Sequence, residues 1–394
     1  MSDERMGELR TGMRILYLDP YHGGSHAASA RGYSAQSRHH LHVLTLPIEG
    51  GWRWRMRGAA VTFARMVREQ EVAPDLIFTT DMLDLATFRA LTRDLYPPSI
   101  PAVVYFFENQ LTYPLPAGRK RDFAFAWTNY TSAMTADRIF FNSAFHRRWF
   151  LDALPELLGR YHDFHELDSI HTLRARSYVL NTGIDLQRLQ LPDATQVRAD
   201  DTPPVILWLS RWDYDKQPQV FFDALAALED RGMEFRLIVA GEAIDPNAAE
   251  FVAARERWAG RLVHWGYPAD MAEYRRLLHQ ADIVVSTALQ ETLGIGILEA
   301  LYCGCIPIVP NRLVYPDLLP VRYHADCLYT TFADLVERLQ QAVLHCAELR
   351  QYDWRAIAAP YDWSVVAPRY DDALEGVLDG KRETEDRIPA YSHV

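Results

Sequence analysis

Two carboxylates, Glu291 and Glu299, stand eight positions apart in the stretch ETLGIGILEA, around Gly294 and Gly296. At about 100° per residue a helix would turn them some 80° from each other, so they do not form one helical face. The flanking stretches ADIVVST (281–287) and CIPIVP (305–310) read as strands. Between them the pattern predicts a loop holding Glu291, Leu293 and Gly294, then a helix starting near Gly296. Glu299 falls in its first turn or so, and Gly304 ends it. Backbone N–H groups at such a helix start attract an anion, and a carboxylate accepts hydrogen bonds from sugar hydroxyls. A ligand with phosphates and hydroxyl-rich rings, a nucleotide sugar, fits that combination. The bland alternative is a helix carboxylate favoured by the dipole, with Glu291 on the surface.

Arg211 and Lys216 follow another strand-like run, VILWLSR (205–211), in LSRWDYDKQP. A guanidinium and an ammonium beside a departing diphosphate would stabilise the transition state more than the ground state; alone, such residues near a loop are usually solvated. Asp213-Tyr214-Asp215 makes a D-x-D, the pattern that holds a metal beside the diphosphate in other transferases. With two cations already present, it reads as an N-cap or a surface pair, and no metal is expected. In HGGSH (22–26), Gly23 and Gly24 would admit a ligand close to backbone, and Ser25 and His26 would cap the next helix. Glu242 ends the run FRLIVAGE, where a nucleotide would be recognised.

These residues need a scaffold that places them together. RILYLD (14–19), HLHVLTLP (40–47), PDLIFTTD (74–81), AVVYFFEN (102–109), RIFFNS (138–143) and YVLNTGID (178–185) read as strands, with helices such as 58–70 and 123–136 between them. A polar, irregular stretch covers about 155–175. After a Pro- and Asp-rich linker at 191–204 the alternation restarts, with strands at 205–211, 235–242, 261–267, 281–287 and 305–310 and helices such as 218–231, 270–280 and 296–303. Short strands alternating with helices predict an α/β chain of parallel, doubly wound sheets. The expected organisation is a tail at 1–12, one Rossmann-like domain at 13–190, a second at 205–360, a C-terminal helix at 361–381 crossing back to the first domain, and a tail at 382–394. Ligands would sit between the domains at the C-terminal ends of the strands.

Composition narrows the class. The chain has 394 residues, 49% hydrophobic and 24% charged, as in globular proteins. No apolar run is long enough to span a bilayer, and a secretory leader is not expected. Its four cysteines, Cys303, Cys305, Cys327 and Cys346, make no C-x-x-C pair and read as reduced thiols. A cytoplasmic enzyme without membrane contact is expected; the sequence leaves its oligomeric state open. The net charge is −11, yet residues 1–190 carry 22 Lys and Arg against 20 Asp and Glu, while the rest carry 19 against 32. Any anionic macromolecule would therefore meet the first domain.

E-x7-E, A-x3-G at 300–304 and Pro307 resemble the donor-site motif of the retaining glycosyltransferases of family 4, which have the GT-B fold of two Rossmann-like domains facing across a cleft. YHGGSH, LPIEGGWRWRMR, YFFENQLTYP, FNSAFH, SRWDYDKQP, HWGY, ALYCGCIPIVP and LVYPDLLP run in order from residue 21 to 320 and bring the resemblance closer to the queuosine-tRNA mannosyltransferases within that family. The resemblance implies transfer of mannose from GDP-mannose to queuosine in the anticodon loop of a tRNA, tRNA-Asp being the expected one, with no other cofactor. Arg211, Lys216, Glu291 and Glu108 would be catalytic. Gly23, Gly24, Glu242, Leu293, Gly294 and Glu299 would bind the donor. Ser25, His26, Trp52, Arg53, Trp54, Arg55, Asn109, Gln110, Tyr113, Asn142 and Ser143 would meet the acceptor. The alternatives are a family 4 enzyme with another donor or a non-RNA acceptor, and a tRNA-binding homologue with weakened catalysis.

Two features bear on those alternatives. Residues 51–68, GWRWRMRGAAVTFARMVR, interleave Trp52 and Trp54 with Arg53, Arg55, Arg57, Arg65 and Arg68, and GRKRD (118–122) and HRR (146–148) add charge. Arginines reach phosphates and indoles stack on unpaired bases; a solvated basic face is the competing reading. The family pattern also places a His before the Glu of ENQ, where this chain has Phe107. Phe107 neither donates a hydrogen bond nor takes a proton, so either another residue such as His26 or Glu108 covers that role, or the chain is slow or altered in donor preference.

Overall fold

The computed structural model describes residues 12–116, 118–191, 202–245 and 247–380. The expected tail at 382–394 falls outside these residues, as do the tail at 1–12 apart from Gly12 and the linker at 191–204 apart from Leu191 and residues 202–204. Twelve strands form two parallel sheets of six. The first contains β1 (Arg14–Asp19), β2 (His40–Thr45), β3 (Leu76–Thr80), β4 (Ala102–Phe106), β5 (Arg138–Phe141) and β6 (Ser177–Val179), in the order β2-β1-β3-β4-β5-β6. The second contains β7 (Val205–Leu209), β8 (Arg236–Ala240), β9 (Leu262–Gly266), β10 (Ile283–Val285), β11 (Ile306–Pro310) and β12 (Leu328–Tyr329), in the order β12-β11-β10-β7-β8-β9. In register, Tyr17 of β1 lies between Val43 and Phe78. Helices cover both faces, which is why runs such as LIFTT and IPIVP are apolar throughout rather than alternating.

Most strands are shorter than the sequence suggests, for one physical reason. The chain leaves β3 before Asp81, β4 before Phe107 and Glu108, and β7 before Arg211. Each apolar run therefore ends in a polar residue that the sheet releases at its C-terminal edge. The stretch at 155–175 is not irregular throughout: one helix runs to Leu158 and another covers Ser169–Arg176. The helix expected from residue 58 already begins at Trp52, capped by Gly51, because WRWRM has no breaker once the Gly pair is passed. Cys305, Cys327 and Cys346 are buried and Cys303 is half-buried. Among the described residues no helix is long and apolar enough to cross a membrane.

The helix Trp363–Leu378 returns to the first sheet, packing Trp363, Val366, Tyr370 and Leu374 with Tyr17, Tyr33, Phe78 and Tyr105. Asp371 fixes it by accepting from Tyr33 Oη at 2.8 Å, Ser37 Oγ at 2.6 Å and the Arg38 amide at 3.0 Å. The chain thus crosses between the domains twice, and the two crossings are stitched: Ile184 N–H donates to Tyr361 at 2.7 Å and Trp363 N–H to Ile184 at 3.1 Å. Gly32 and Gly183 leave room for the Trp363 indole, since a Cβ on either would lie 1.9 and 2.3 Å from ring atoms. Trp363→Ala would empty this slot and should lower stability by about 3–5 kcal/mol. Urea unfolding of the variant checks it; a change under about 1 kcal/mol would mean that the returning helix is a passenger.

Candidate functional site

The donor-side loop is built by Gly294. Its φ of 83° is left-handed, a conformation that costs a side-chain-bearing residue about 1–2 kcal/mol. The turn swings Glu291 back, and its Oε1 accepts from the Gly294 amide at 3.0 Å. That amide is therefore spent on Glu291 rather than left pointing at a ligand. Lys216 Nζ donates to the Gln290 carbonyl at 2.6 Å and lies 3.5 Å from Glu291 Oε2 and 3.4 Å from Asp215 Oδ2. Leu293 is buried beneath the loop. Arg211 stays half-exposed, 3.8 Å from Asp213.

The D-x-D divides into two roles. Asp213 caps the short turn Tyr214–Lys216, accepting from the Tyr214 amide. Asp215 is fully buried against Lys216, with Tyr113 Oη 3.4 Å away, so it is not half of a surface pair. Among the described residues no group of three or more His, Cys, Asp or Glu is placed to hold a metal.

Glu299 lies in the second turn of the helix Ile295–Tyr302 rather than its first, because the helix starts one residue earlier than expected. Its carboxylate is buried and gripped from both sides, by Arg188 Nη2 at 2.6 Å and Tyr274 Oη at 2.5 Å. Glu242 is exposed past the end of β8.

Across the cleft, Gly23 caps the helix Gly24–Gln36 and Gly24 opens it with a φ of 50°. Ser25 and His26 do not cap: both lie inside the helix, Ser25 exposed and His26 buried. His26 Nδ1 pairs with Asp19 Oδ1 at 3.1 Å, and its ring lies tilted against that of Phe107, 4.2 Å between centroids. Burial alone would pull the imidazole down. The charge and hydrogen bond of Asp19, with Asp81 and Glu108 beyond, overcome this and push it up to about 9. Asp81 is pushed up to about 7, mainly by burial. One of its oxygens accepts from the Phe107 amide at 3.0 Å while the other has no partner. Burial likewise raises Glu108, against the opposing fields of His26 and Arg211. Gln110 Nε2 donates to Glu108 Oε1 at 3.1 Å.

Several residues expected to meet the acceptor instead hold the two domains in register. Asn109 folds its own turn, accepting from the Leu111 and Thr112 amides at 3.1 and 2.9 Å. Its Nδ2 donates to His146 Nε2 at 3.0 Å. His146 is neutral, pushed down to about 3 by burial, and Nδ1–H donates to Asn142 Oδ1 at 2.9 Å. Asn142 Nδ2 then donates to the Phe107 carbonyl at 3.0 Å and to Thr292 Oγ1 at 2.9 Å. Ser143 caps the helix Ala144–Leu158, accepting from the His146 amide. The polar atoms of Asn109, Asn142 and Ser143 are thus engaged inside the protein, which makes them positioning groups. Tyr113 reaches across to Asp215, and Arg121 holds the Gln110 and Tyr113 carbonyls at 2.7 Å each.

On the helix Trp52–Glu69 the tryptophans separate. Trp52 packs edge-on against Phe125, 5.0 Å between centroids, in a cluster with Tyr21, Met56 and Met82 at the strand ends. Trp54 is 64% exposed and lies over Gly58. Arg53 sits 4.4 Å above the Trp52 ring. Arg55 is committed to the Pro47 and Glu49 carbonyls, Arg65 to Glu69 and Arg68 to Asp94, so these three do not form an open phosphate-binding face. In HRR, His146 is internal and Arg148 pairs with Asp317.

Asp19, Asp81, His146, Arg188, Tyr274 and Thr292 belong to the site and escape the sequence reading. A signal existed for the first two: each carboxylate directly follows or ends an apolar strand, where a parallel sheet delivers functional groups.

Comparison with known proteins follows the same division of the chain. Residues 14–184 match the family described as tRNA-queuosine alpha-mannosyltransferase N-terminal, and residues 192–351 match Glycosyl transferases group 1. A tRNA-queuosine alpha-mannosyltransferase of Drosophila melanogaster is 32% identical over 332 residues, covering 82% of this chain and 85% of that protein. A GDP-mannose-dependent alpha-(1-6)-phosphatidylinositol dimannoside mannosyltransferase of Mycobacterium tuberculosis (strain ATCC 25177 / H37Ra) is 25% identical over 334 residues, 80% of this chain and 78% of that protein. A sucrose-phosphate synthase from Thermosynechococcus elongatus superposes with a TM-score of 0.69 at 14% identity, over 93% of this chain and 100% of that one. At that identity the likeness establishes the shared GT-B fold.

The paired His26 and Asp19 should be visible in solution. Because the folded value of His26 lies above that of a free histidine, the pair adds stability below about pH 6.5 and loses it as pH rises through about 9. NMR titration should find His26 protonated at neutral pH, and Asp19→Asn should lower its titration markedly, because only Asp81 and Glu108 then oppose burial. An unchanged titration in Asp19→Asn would remove the ion pair from the site.

Proposed function

The chain belongs to the tRNA-queuosine alpha-mannosyltransferase family, and we propose from that premise and from the cleft that it is a glycosyltransferase moving mannose onto queuosine in a tRNA. The observation that carries the reading within the cleft is the placement of Lys216 against Glu291 and the Gln290 carbonyl. A cation and a hydroxyl-binding carboxylate stand side by side there, facing the His26–Glu108 wall. A nucleotide sugar needs both at the two ends of its scissile bond.

GDP-mannose is the donor in this reading, supported by the dependence named for the mycobacterial relative. Arg211 and Lys216 take up the charge that develops on the departing diphosphate, a contact that strengthens as the bond breaks. Glu291 grips hexose hydroxyls, and Glu299, oriented by Arg188 and Tyr274, accepts from the ribose. The C1–oxygen bond to diphosphate breaks through an oxocarbenium-like centre. A queuosine hydroxyl attacks from the same face, and its proton passes to a diphosphate oxygen, so configuration is retained. His26 supplies the hydrogen bond that Phe107 lacks, being in ring contact with it and held charged by Asp19. Trp54 and Arg53 lie at the rim for the anticodon loop of tRNA-Asp, and such a substrate places the reaction in the cytoplasm. No metal takes part.

Incubation with GDP-mannose and queuosine-containing tRNA, followed by nucleoside mass analysis, tests the reading. Mannosyl-queuosine is expected; GDP release without it would point to another acceptor, and no GDP release to a binding protein. Glu291→Ala and Lys216→Ala should each slow transfer by about a hundredfold or more while leaving the protein folded, and EDTA should leave transfer intact. Unimpaired turnover in either variant would remove the donor-site assignment.

A further inference from the structure

Away from the cleft residues, the acceptor domain exposes aromatic side chains where its fold does not require them. Tyr161 is 51% exposed and Phe164 84%, in the turn between the helices Ala144–Leu158 and Ser169–Arg176. Phe164 and Glu166 both hold a left-handed backbone, with φ of 49° and 52°. Tyr161 leans on Trp127, 5.6 Å between rings, and Trp127 is itself exposed on the preceding helix Phe123–Thr135. Beside them Arg160 lies 3.7 Å above the ring of Phe123. Directly before Phe123 the chain carries Arg119 and Lys120, both exposed and without an ion-pair partner among the described residues. This ground continues to the cleft rim, because Arg57 touches Asp122 at 3.4 Å and lies 4.8 Å above Phe125, against which Trp52 packs.

We propose that Arg119, Lys120, Arg160, Trp127, Tyr161 and Phe164 form a second RNA-docking surface, which holds the anticodon arm of the tRNA beyond the nucleotides that enter the cleft. The inference rests on the reading of the chain as a tRNA-modifying enzyme. Charge and shape both favour nucleic acid. Among the described residues Arg119, Lys120 and Arg160 have no ion-pair partner, so all three remain available to a phosphate backbone on a chain whose net charge is −11. The exposed rings of Trp127, Tyr161 and Phe164 share this ground with the cations, a combination that stacks unpaired bases while neutralising the strand. A protein partner would instead call for a contiguous apolar patch, and here the rings are separated by Arg160, His162 and Asp163. Arg160 is preset by its stack on Phe123, so less side-chain freedom is lost on contact with a phosphate.

The test uses the full chain, queuosine-containing tRNA and GDP-mannose. Arg119→Glu/Lys120→Glu, and separately Tyr161→Ser/Phe164→Ser, change exposed side chains only. Thermal melting and GDP affinity should stay those of the parent. Each double variant should raise KM for tRNA about tenfold or more with kcat within about twofold, and the charge reversal should flatten the salt dependence of tRNA binding by about one to two units of log–log slope. Parent-like KM and salt dependence in both variants, with mannosyl transfer intact, would overturn the docking surface and leave the enzymatic reading standing. If the parent binds tRNA through this strip but transfers no mannose, the reading of the activity fails and the surface stands. If both variants bind tRNA normally but lose a protein partner, the surface belongs to that partner and the proposal is wrong.

Discussion

The Thr292 hydroxyl donates to the Phe107 carbonyl at 2.8 Å and accepts from Asn142 Nδ2 at 2.9 Å, and through these bonds the loop carrying Glu291 is registered against the first domain. The relay continues without a gap through Asn142, His146 and Asn109 to the turn that presents Glu108 and Gln110. Each bond contributes only about 1 kcal/mol net, but all are buried, so breaking one strands a polar group and costs more than it contributed. Tyr214 Oη adds a bond to the Pro114 carbonyl at 2.9 Å. The exposed Arg148–Asp317 pair, at 2.7 Å, is of the kind that contributes little. Domain register is therefore set at the centre of the cleft, at the residues that flank the chemistry, and only weakly at its edges.

Fixing the register places two opposed electrostatic fields a short distance apart. One wall collects Asp19, Asp81 and Glu108 around His26; the other collects Arg211 and Lys216, with Asp215 and Glu291 holding the lysine. Burying so many ionisable groups is a poor way to stabilise a fold. It makes sense as preorganisation for a ligand whose charge moves during reaction. Asp81 illustrates the cost: one oxygen has no partner, and its carboxyl is pushed up to about 7.

The sequence made the architecture legible because parallel strands buried on both faces leave continuous apolar runs, and ten of the twelve strands lie within such runs. β12 is only two residues long, and β6 keeps only two residues of the run YVLNTGID together with Ser177. The donor loop was legible through Gly294 and the two glutamates, since backbone geometry there depends on local residue types. What the sequence concealed were partnerships across long separations: Glu299 with Arg188, 111 positions away, and Thr292 with Phe107, 185 positions away. Asn109, Asn142 and Ser143 look like ligand-binding residues by type, and only the packed structure reveals that their polar atoms face inward. Arg55, Arg65 and Arg68 look like one basic face, but the fold delivers a carbonyl or carboxylate to each. Charge counted along the chain carries no information about such pairing.

Thr292→Val keeps the size and branching of the side chain while removing the hydroxyl that joins the donor loop to Phe107 and Asn142. If that junction sets the geometry of the cleft, single-turnover mannosyl transfer should fall about tenfold to a hundredfold, the scale of a small misplacement of reacting groups. The GDP affinity, measured by calorimetry on the same sample, should stay within about twofold, because Arg211, Lys216 and Glu299, the residues proposed to hold the nucleotide, lie in the second domain. Transfer at the parent rate in Thr292→Val would contradict it, and would mean that the two walls find their register without the buried relay.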